Sequence, residues 1–472
     1  MSKANFFSGI TWLVLLNVVV KPVWLFGVDR QVQNIVGHEA YGVYFSILSL
    51  SVILSFVADL GLTNLVNRQL ALNEGINITK LVLSKVVLSI LYLILVFLVA
   101  FISEIKEFSL LLLIVLIQIL TSFLLFFRSI ITANQFFKTD ALMSIIDKLL
   151  MVVILLPLLY IFPVVIDLFD FLKVQLLTLV FTIIITVIVT FRMQSSMLSN
   201  KNSIDFKMTM PFIFIFLFMT LLYRLGGFLL ERLHVNGAYE AGIYASAFRV
   251  TDAGNMLGYL VASFLVPFTA RNLKQTALLE TTVVKLRWYL MLLGGSVMVY
   301  TIMYSNELVR LLYNYEEPFQ SQVLILSISS LPALYLLHIY GSLLTAKGSF
   351  NLLIFIIAGG VVLNVSMNFF LIPAYGARAC GYAALVSLTV SAVVCFILAT
   401  NNLKISFSLA SFIVSVLIIS GLYFLFYFLK WQQWSLLFSA IAGFCVLLLA
   451  MFVNTDSKNI FKKLHARSFL HF

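Results

Sequence analysis

Charge is what this sequence has least of. Asp, Glu, Lys and Arg make up 10% of its 472 residues, against roughly 25% in an ordinary soluble domain. So few ionised groups cannot cover the surface of a water-facing globule of this length, and that class is excluded. Cysteine is nearly absent. Cys380, Cys395 and Cys445 fall in apolar stretches without paired or metal-binding spacing, and read as packing residues. The five histidines, His38, His234, His338, His465 and His471, are scattered, with no metal-ligand spacing among them. A glycine loop followed by Lys-Ser/Thr is missing too, which argues against direct ATP hydrolysis.

What the chain has instead is hydrophobic length. Apolar residues make up 62% of it, and they recur in runs of about 20, each able to cross a hydrocarbon core of about 30 Å. Runs such as 81–101 are apolar on every face, unlike the alternating pattern of a β-barrel, so helices are expected. The spans are placed near 8–28, 40–62, 81–101, 108–128, 141–162, 171–191, 209–230, 240–267, 284–304, 322–345, 350–371, 379–399, 406–428 and 433–453. Asp147 and Lys148 interrupt the fifth. The first run is too long, and too poorly flanked by small residues, for a cleaved signal peptide, and is kept as a helix.

The connections test this count. With fourteen spans, sixteen Lys and Arg residues fall on the side of the termini, among them Lys3, Arg68, Lys138, Lys201 and Lys462, and seven on the other, Arg30 and Lys430 included. The richer side is expected to be cytoplasmic, with both termini there, in a bacterial inner membrane. The formal charge of +11 is mainly this bias and calls for no nucleic-acid partner.

The most polar stretch, 195–207, separates spans six and seven. Short echoes lie six spans apart. SIITANQFF (129–137) matches SLLTAKGSF (342–350), and YGVY (41–44) matches AGIY (241–244). The expected fold is therefore an all-α polytopic membrane protein of about 14 transmembrane helices. Two six-helix bundles, 1–194 and 208–403, stand in pseudo-twofold arrangement, followed by an appended hairpin at 404–454 and a basic tail at 455–472. Paired bundles of this kind suit alternating access.

Charges deep in a span are costly and usually face protein or water. Lys21, beside Pro22, and Arg224 have the deepest positions and no partner in their own helices. Arg249 and Asp252, three residues apart on one helix face, read either as lining a cavity or as an ion pair. Lys21, Arg224 and Arg249 together would make a cationic site suited to an anionic, phosphate-bearing substrate. Asp252, Asp59 and Asp147 are candidates for H+ or Na+ coupling or for ion pairing, with Asp59 placed equally well as an interfacial cap. Lys85, Arg128 and Arg287 are expected to snorkel to the headgroups.

Three segments carry a resemblance. Gly42 and Tyr44 open span two, Asp59 to Leu62 end it, and Asn368, Leu371, Ile372, Pro373, Tyr375 and Gly376 mark span eleven. The chain resembles the polysaccharide transporters, or O-antigen flippases of the Wzx type, in the multidrug/oligosaccharidyl-lipid/polysaccharide exporter superfamily. It departs from them after Gly376, where Arg378-Ala379-Cys380-Gly381-Tyr382 replaces a Gly-Ala-Ala run. The resemblance implies a flippase for an undecaprenyl-diphosphate-linked oligosaccharide in lipopolysaccharide or related polysaccharide biosynthesis. A polysaccharide polymerase and a chain-length regulator would be its partners. A lipid II flippase and a cation-coupled drug exporter would share the fold. A membrane-embedded polymerase or glycosyltransferase would need larger loops than 161–170 or 304–320.

Overall fold

A computed structural model describes residues 16–71, 77–162, 166–193, 209–314, 317–405 and 409–453. The linker 195–207, the tail 455–472 and the side chain of Arg68 lie outside the described residues. Among those described there are helices and no strands.

Among the described residues twelve helices are long and apolar enough to cross a membrane, and dividing the first at its kink and adding one shorter apolar helix gives fourteen. The stretch Leu16–Ala58 is one helical run folded in two at Gly37, whose φ of 82° only glycine adopts readily. It supplies α1 (16–36) and α2 (38–58). There follow α3 (Ile78–Ile102), α4 (Phe108–Ala133), α5 (Phe137–Tyr160), α6 (Leu168–Arg192), α7 (Met210–Leu233), α8 (Gly237–Asn272), α9 (Thr276–Leu312), α10 (Gln320–Lys347), α11 (Phe350–Tyr375), α12 (Ala377–Leu403), α13 (Leu409–Trp431) and the shorter α14 (Leu436–Val453). The face where α1 turns into α2 is called the far face below, and the one where α6 ends and α7 begins the near face. In α5 the helix breaks at Ser144–Ile145 and restarts at Ile146, so Asp147 sits in a fresh first turn, where the helix dipole favours a carboxylate.

The packing repeats with a phase of six. In the first lobe α4 packs on α2, α3 and α6, and α5 packs on α1 and α6. In the second lobe α10 packs on α8, α9 and α12, and α11 packs on α7 and α12. The turn after α4 has Gln135 at φ 64°, and Gly348, its counterpart in the sequence echo, lies at φ 82° after α10. The hairpin α13–α14 leans on α9: Tyr304 donates to Ser439 at 3.0 Å, and Lys430 pairs with Glu307 at 2.8 Å.

Lipid supplies no hydrophobic drive between helices, so close van der Waals packing holds them, and small residues allow it. Where α2 crosses α8, a Cβ on Gly42 would lie 1.7 Å from the Ala238 oxygen, and one on Gly242 would lie 2.0 Å from the His38 oxygen. The second echo in the sequence is this crossing, made by equivalent residues of both lobes. In α12 the departure from the family pattern still packs closely, with Cys380 Sγ 3.4 Å from the Gly226 oxygen and Gly381 against Leu326.

Candidate functional site

The contacts that join the lobes gather on the far half. Arg249 is buried there and gives its Nε to Asp29 Oδ2 at 2.8 Å. Its Nη1 donates to Gln33 Oε1 at 2.7 Å and to the Tyr313 hydroxyl at 3.0 Å, and its guanidinium lies 5.0 Å from the Tyr41 ring centre. Tyr41 donates to Asp29 at 2.9 Å, and Gln33 donates to the Gly242 carbonyl at 2.8 Å. Burial pushes the Tyr313 phenol up, which keeps it protonated, and it donates to the Ser246 carbonyl at 3.1 Å. Arg30 and Asn34 both donate to the Leu312 carbonyl at 3.0 Å, and Ser46 donates to Glu231. One apolar cluster spans both lobes here, whereas the near-half clusters around Leu62 and Phe126 in the first lobe and around Leu265 and Tyr340 in the second are separate.

Local sequence explains how Asp29 comes to reach α8. Pro22 cannot donate to the preceding turn, and the seven residues Val23–Asp29 that follow adopt a π-helix. Such a widening shifts the helical phase and is frequent at functional sites.

Below this clamp, between α2, α7 and α8, the Arg224 guanidinium lies 4.6 Å from the Phe248 ring centre. No described residue accepts a hydrogen bond from it, so its donors are free for a ligand. Asp252 accepts from Tyr223 at 3.2 Å and lies within electrostatic range of Lys21 and Tyr259. Lys21 is half-buried and also senses Arg128, Asp147 and Lys148. The Lys148 ammonium sits 4.2 Å from the Trp24 ring centre and 3.5 Å from Asp147. Asn255 Oδ1 meets His338 Nε2 at 2.9 Å, and its side chain also faces the Tyr223 and Tyr259 hydroxyls.

Lys21, Arg224 and Arg249 are therefore not equivalent. Lys21 lies within electrostatic range of Asp252 and Arg224 stacks on Phe248, whereas Arg249 is committed to Asp29 rather than to Asp252, three residues on in its own helix. Asp59 is ion-paired with Lys85 and accepts from Thr63. Lys85 thus does not snorkel, because its side chain is fully buried against that carboxylate. Arg128 holds Asp140 through two hydrogen bonds, of 2.7 and 3.2 Å, and Arg287 donates to Tyr340 at 3.0 Å, so neither simply reaches for headgroups. Asp29, Gln33 and Tyr313 were not singled out in the sequence. The available signal was that no helix breaker but Gly37 separates Asp29 from α2.

Two of the three resemblance segments turn out to be chain reversals, while Gly42 and Tyr44 lie within α2. Leu60 (φ 38°) and Gly61 (φ 75°) end α2 beside the Asp59–Lys85 pair, and at Gly376 (φ 53°) Glu240 accepts from the Ala377 amide at 2.8 Å. Residues 6–273 match the sequence model of a family described as polysaccharide biosynthesis protein. The chain belongs to that family. Its fold is also that of known transporters at low identity. It is similar to a multidrug resistance MATE family transporter of the MOP superfamily in an inward-facing conformation (13% identity, 86% of this chain, 98% of that one, TM-score 0.62). The lipid II flippase MurJ in an inward closed conformation is comparably similar (12%, 95% and 100%, 0.63), as is a MOP superfamily transporter from Pyrococcus furiosus (13%, 84% and 95%, 0.64). No curated protein sequence matches significantly. The chain is thus a multi-pass membrane protein of a transporter and flippase fold.

Proposed function

We propose that this protein flips an undecaprenyl-diphosphate-linked oligosaccharide, an O-antigen or related repeat unit, across the bacterial inner membrane by alternating access. The observation that carries the reading is Arg224, a guanidinium at membrane depth between the lobes with no hydrogen-bond acceptor among the described residues. Such a group suits a diphosphate, which it can meet bidentately. Lys21 supplies a second positive charge on the opposite lobe.

The charge bias of the connections supports a cytoplasmic near face, with both termini on that side. The clamped far face is then periplasmic, and substrate enters from the cytoplasmic leaflet. Diphosphate binding at Arg224 and Lys21 draws the near halves together. Outward release requires the Asp29–Arg249 pair and the Gly42–Gly242 crossing to part. Asp252 is the carboxylate that fits ion coupling best. H+ or Na+ taken up there changes the charge beside Lys21, whereas Asp59 and Asp147 each have a lysine at hand.

The test is deletion of the gene in its host, with lipid-linked oligosaccharide followed by mass spectrometry in a strain without a second flippase. Intact oligosaccharide accumulating on the cytoplasmic side is the expected result. A complete repeat unit at the surface, unpolymerised, would instead identify a polymerase, and unchanged pools would point to another exported substrate.

A further inference from the structure

The seam between the lobes at α2 and α7 is closed at both ends and open between them. Towards the far face, a Cβ on Gly227 of α7 would lie 2.4 Å from the Phe45 ring of α2. At the near face, one on Gly61 would lie 2.7 Å from Thr209 Cβ. Between these contacts is a cavity of about 450 Å³ lined by Phe56, Leu60, Met210, Ile213, Phe214 and Leu217. Every lining residue is apolar. Met210 and Phe214 are roughly half exposed, so the cavity opens on the lipid-facing surface.

Two further features single this cavity out. Leu60 holds a left-handed backbone, φ 38°, which a residue with a side chain normally avoids, and its side chain is part of the lining. The α7 residues of the lining follow the spacing i, i+3, i+4, i+7, and Arg224 lies seven residues beyond Leu217 on the same stripe. At a rise of 1.5 Å per residue, that sets the unpaired guanidinium about 10 Å up the same helix face from an all-carbon cavity. An anionic head joined directly to a hydrocarbon chain has this layout.

We propose that this cavity seats the prenyl chain of the polyprenyl-diphosphate substrate, so that the chain leaves the cleft through the α2–α7 seam while its diphosphate is held at Arg224. The inference rests on the flippase reading above and adds to it the route of the tail. Free inorganic phosphate gains nothing from such a seat, and bulk phospholipid has no need of the interior guanidinium.

The experiment uses the full chain in nanodiscs of phosphatidylethanolamine and phosphatidylglycerol. The probe is a long-chain polyprenyl-diphosphate oligosaccharide with a diazirine on an isoprene near the head, and crosslinks are mapped by mass spectrometry. Transport of the same probe is measured in parallel in vesicles. Crosslinks within 56–60 and 210–217, unaffected by excess phosphatidylglycerol, are expected. Crosslinks confined to other helices, with transport intact, would overturn the seat and leave the flippase reading standing. Equal labelling by a diazirine phosphatidylglycerol would make the cavity a bulk-lipid site and also overturn it. A probe neither bound nor transported would sink the flippase reading itself, and the seat with it.

Leu217→Trp fills the cavity without touching Arg224. It should weaken binding of the long-chain probe about tenfold, ~1.4 kcal/mol, and leave a short-chain analogue of the same head within about twofold. An equal loss for both would mean that the head site had been damaged, and would count against the tail seat.

Discussion

Removing Arg249 should unlock the far face, and the size of the effect follows from what is left behind. Arg249→Ala strands Asp29, a buried carboxylate that keeps only the Tyr41 hydroxyl among its side-chain donors. Breaking one side of a buried pair costs about 3–5 kcal/mol. The loss falls on the far-closed state, because an open far face lets water reach Asp29. Retained bonding from Tyr41 favours the lower end of the range. At 1.4 kcal/mol per decade this is roughly a hundredfold shift in the closed-to-open ratio. The assay is labelling of Ser46→Cys by an impermeant maleimide in right-side-out vesicles, in a background with Cys380, Cys395 and Cys445 replaced. Ser46 is fully buried at the clamped interface. Arg249→Ala should raise its labelling rate by about two orders of magnitude. The double variant Asp29→Leu/Arg249→Met should return it to near the parent rate, since an apolar pair of similar volume can replace a buried ion pair. Labelling of Arg249→Ala as slow as in the parent would refute the clamp. A double variant as open as the single one would show that Arg249 acts through something other than Asp29.

Arg224→Ala should abolish transport while moving the melting temperature little, because a cation–π contact of about 0.5–1 kcal/mol is all it removes. A large stability loss measured by thermal unfolding in detergent would mean a structural role instead. Gly242→Val should have the opposite emphasis: its side chain meets the His38 carbonyl, so the far face cannot close and the Ser46→Cys reporter should label fast with Arg249 intact. Asp59→Ala should lower folded abundance more than Lys85→Ala. The first leaves a fully buried ammonium, worth about 3–5 kcal/mol, while the second leaves a carboxylate that is 27% exposed and still bonded to Thr63. Gln135→Gly should raise thermal stability by up to about 1 kcal/mol by relieving a left-handed side-chain residue, and Gly348→Ala should lower it by a similar amount. Effects of the reverse sign would show that the two turns are not equivalent.

The spans were legible because hydropathy alone selects them, and the sixfold phase because Gly42 and Gly242, like Gln135 and Gly348, hold equivalent places in both lobes. The clamp was not. Val28-Asp29-Arg30-Gln31 looks like a loop when polarity is the guide, yet the helix continues through it to Gly37, because lone polar side chains do not stop a helix whose backbone remains bonded. Partner choice was hidden for the same reason in the ion pairs that join different helices. Arg249 chooses Asp29, 220 residues away, over Asp252 on its own helix, and Lys85 turns inward to Asp59 rather than outward to headgroups. These choices depend on how helices are brought together, and spacing along one helix does not encode that. Arg224 was legible as a deep charge with no partner in its own helix, and the structure sets its guanidinium over the Phe248 ring of the next one.

The measurement that tests the central claim most directly is leaflet transfer by the purified protein. Vesicles carrying a labelled undecaprenyl-diphosphate oligosaccharide in one leaflet would be probed with an impermeant sugar-specific reagent on the opposite side. Transfer that depends on the protein, and is lost in Arg224→Ala but not in Lys347→Ala at the near-face end of α10, is the expected result. Vesicles in which the oligosaccharide stays on its original side, with the protein folded and correctly oriented, would contradict it.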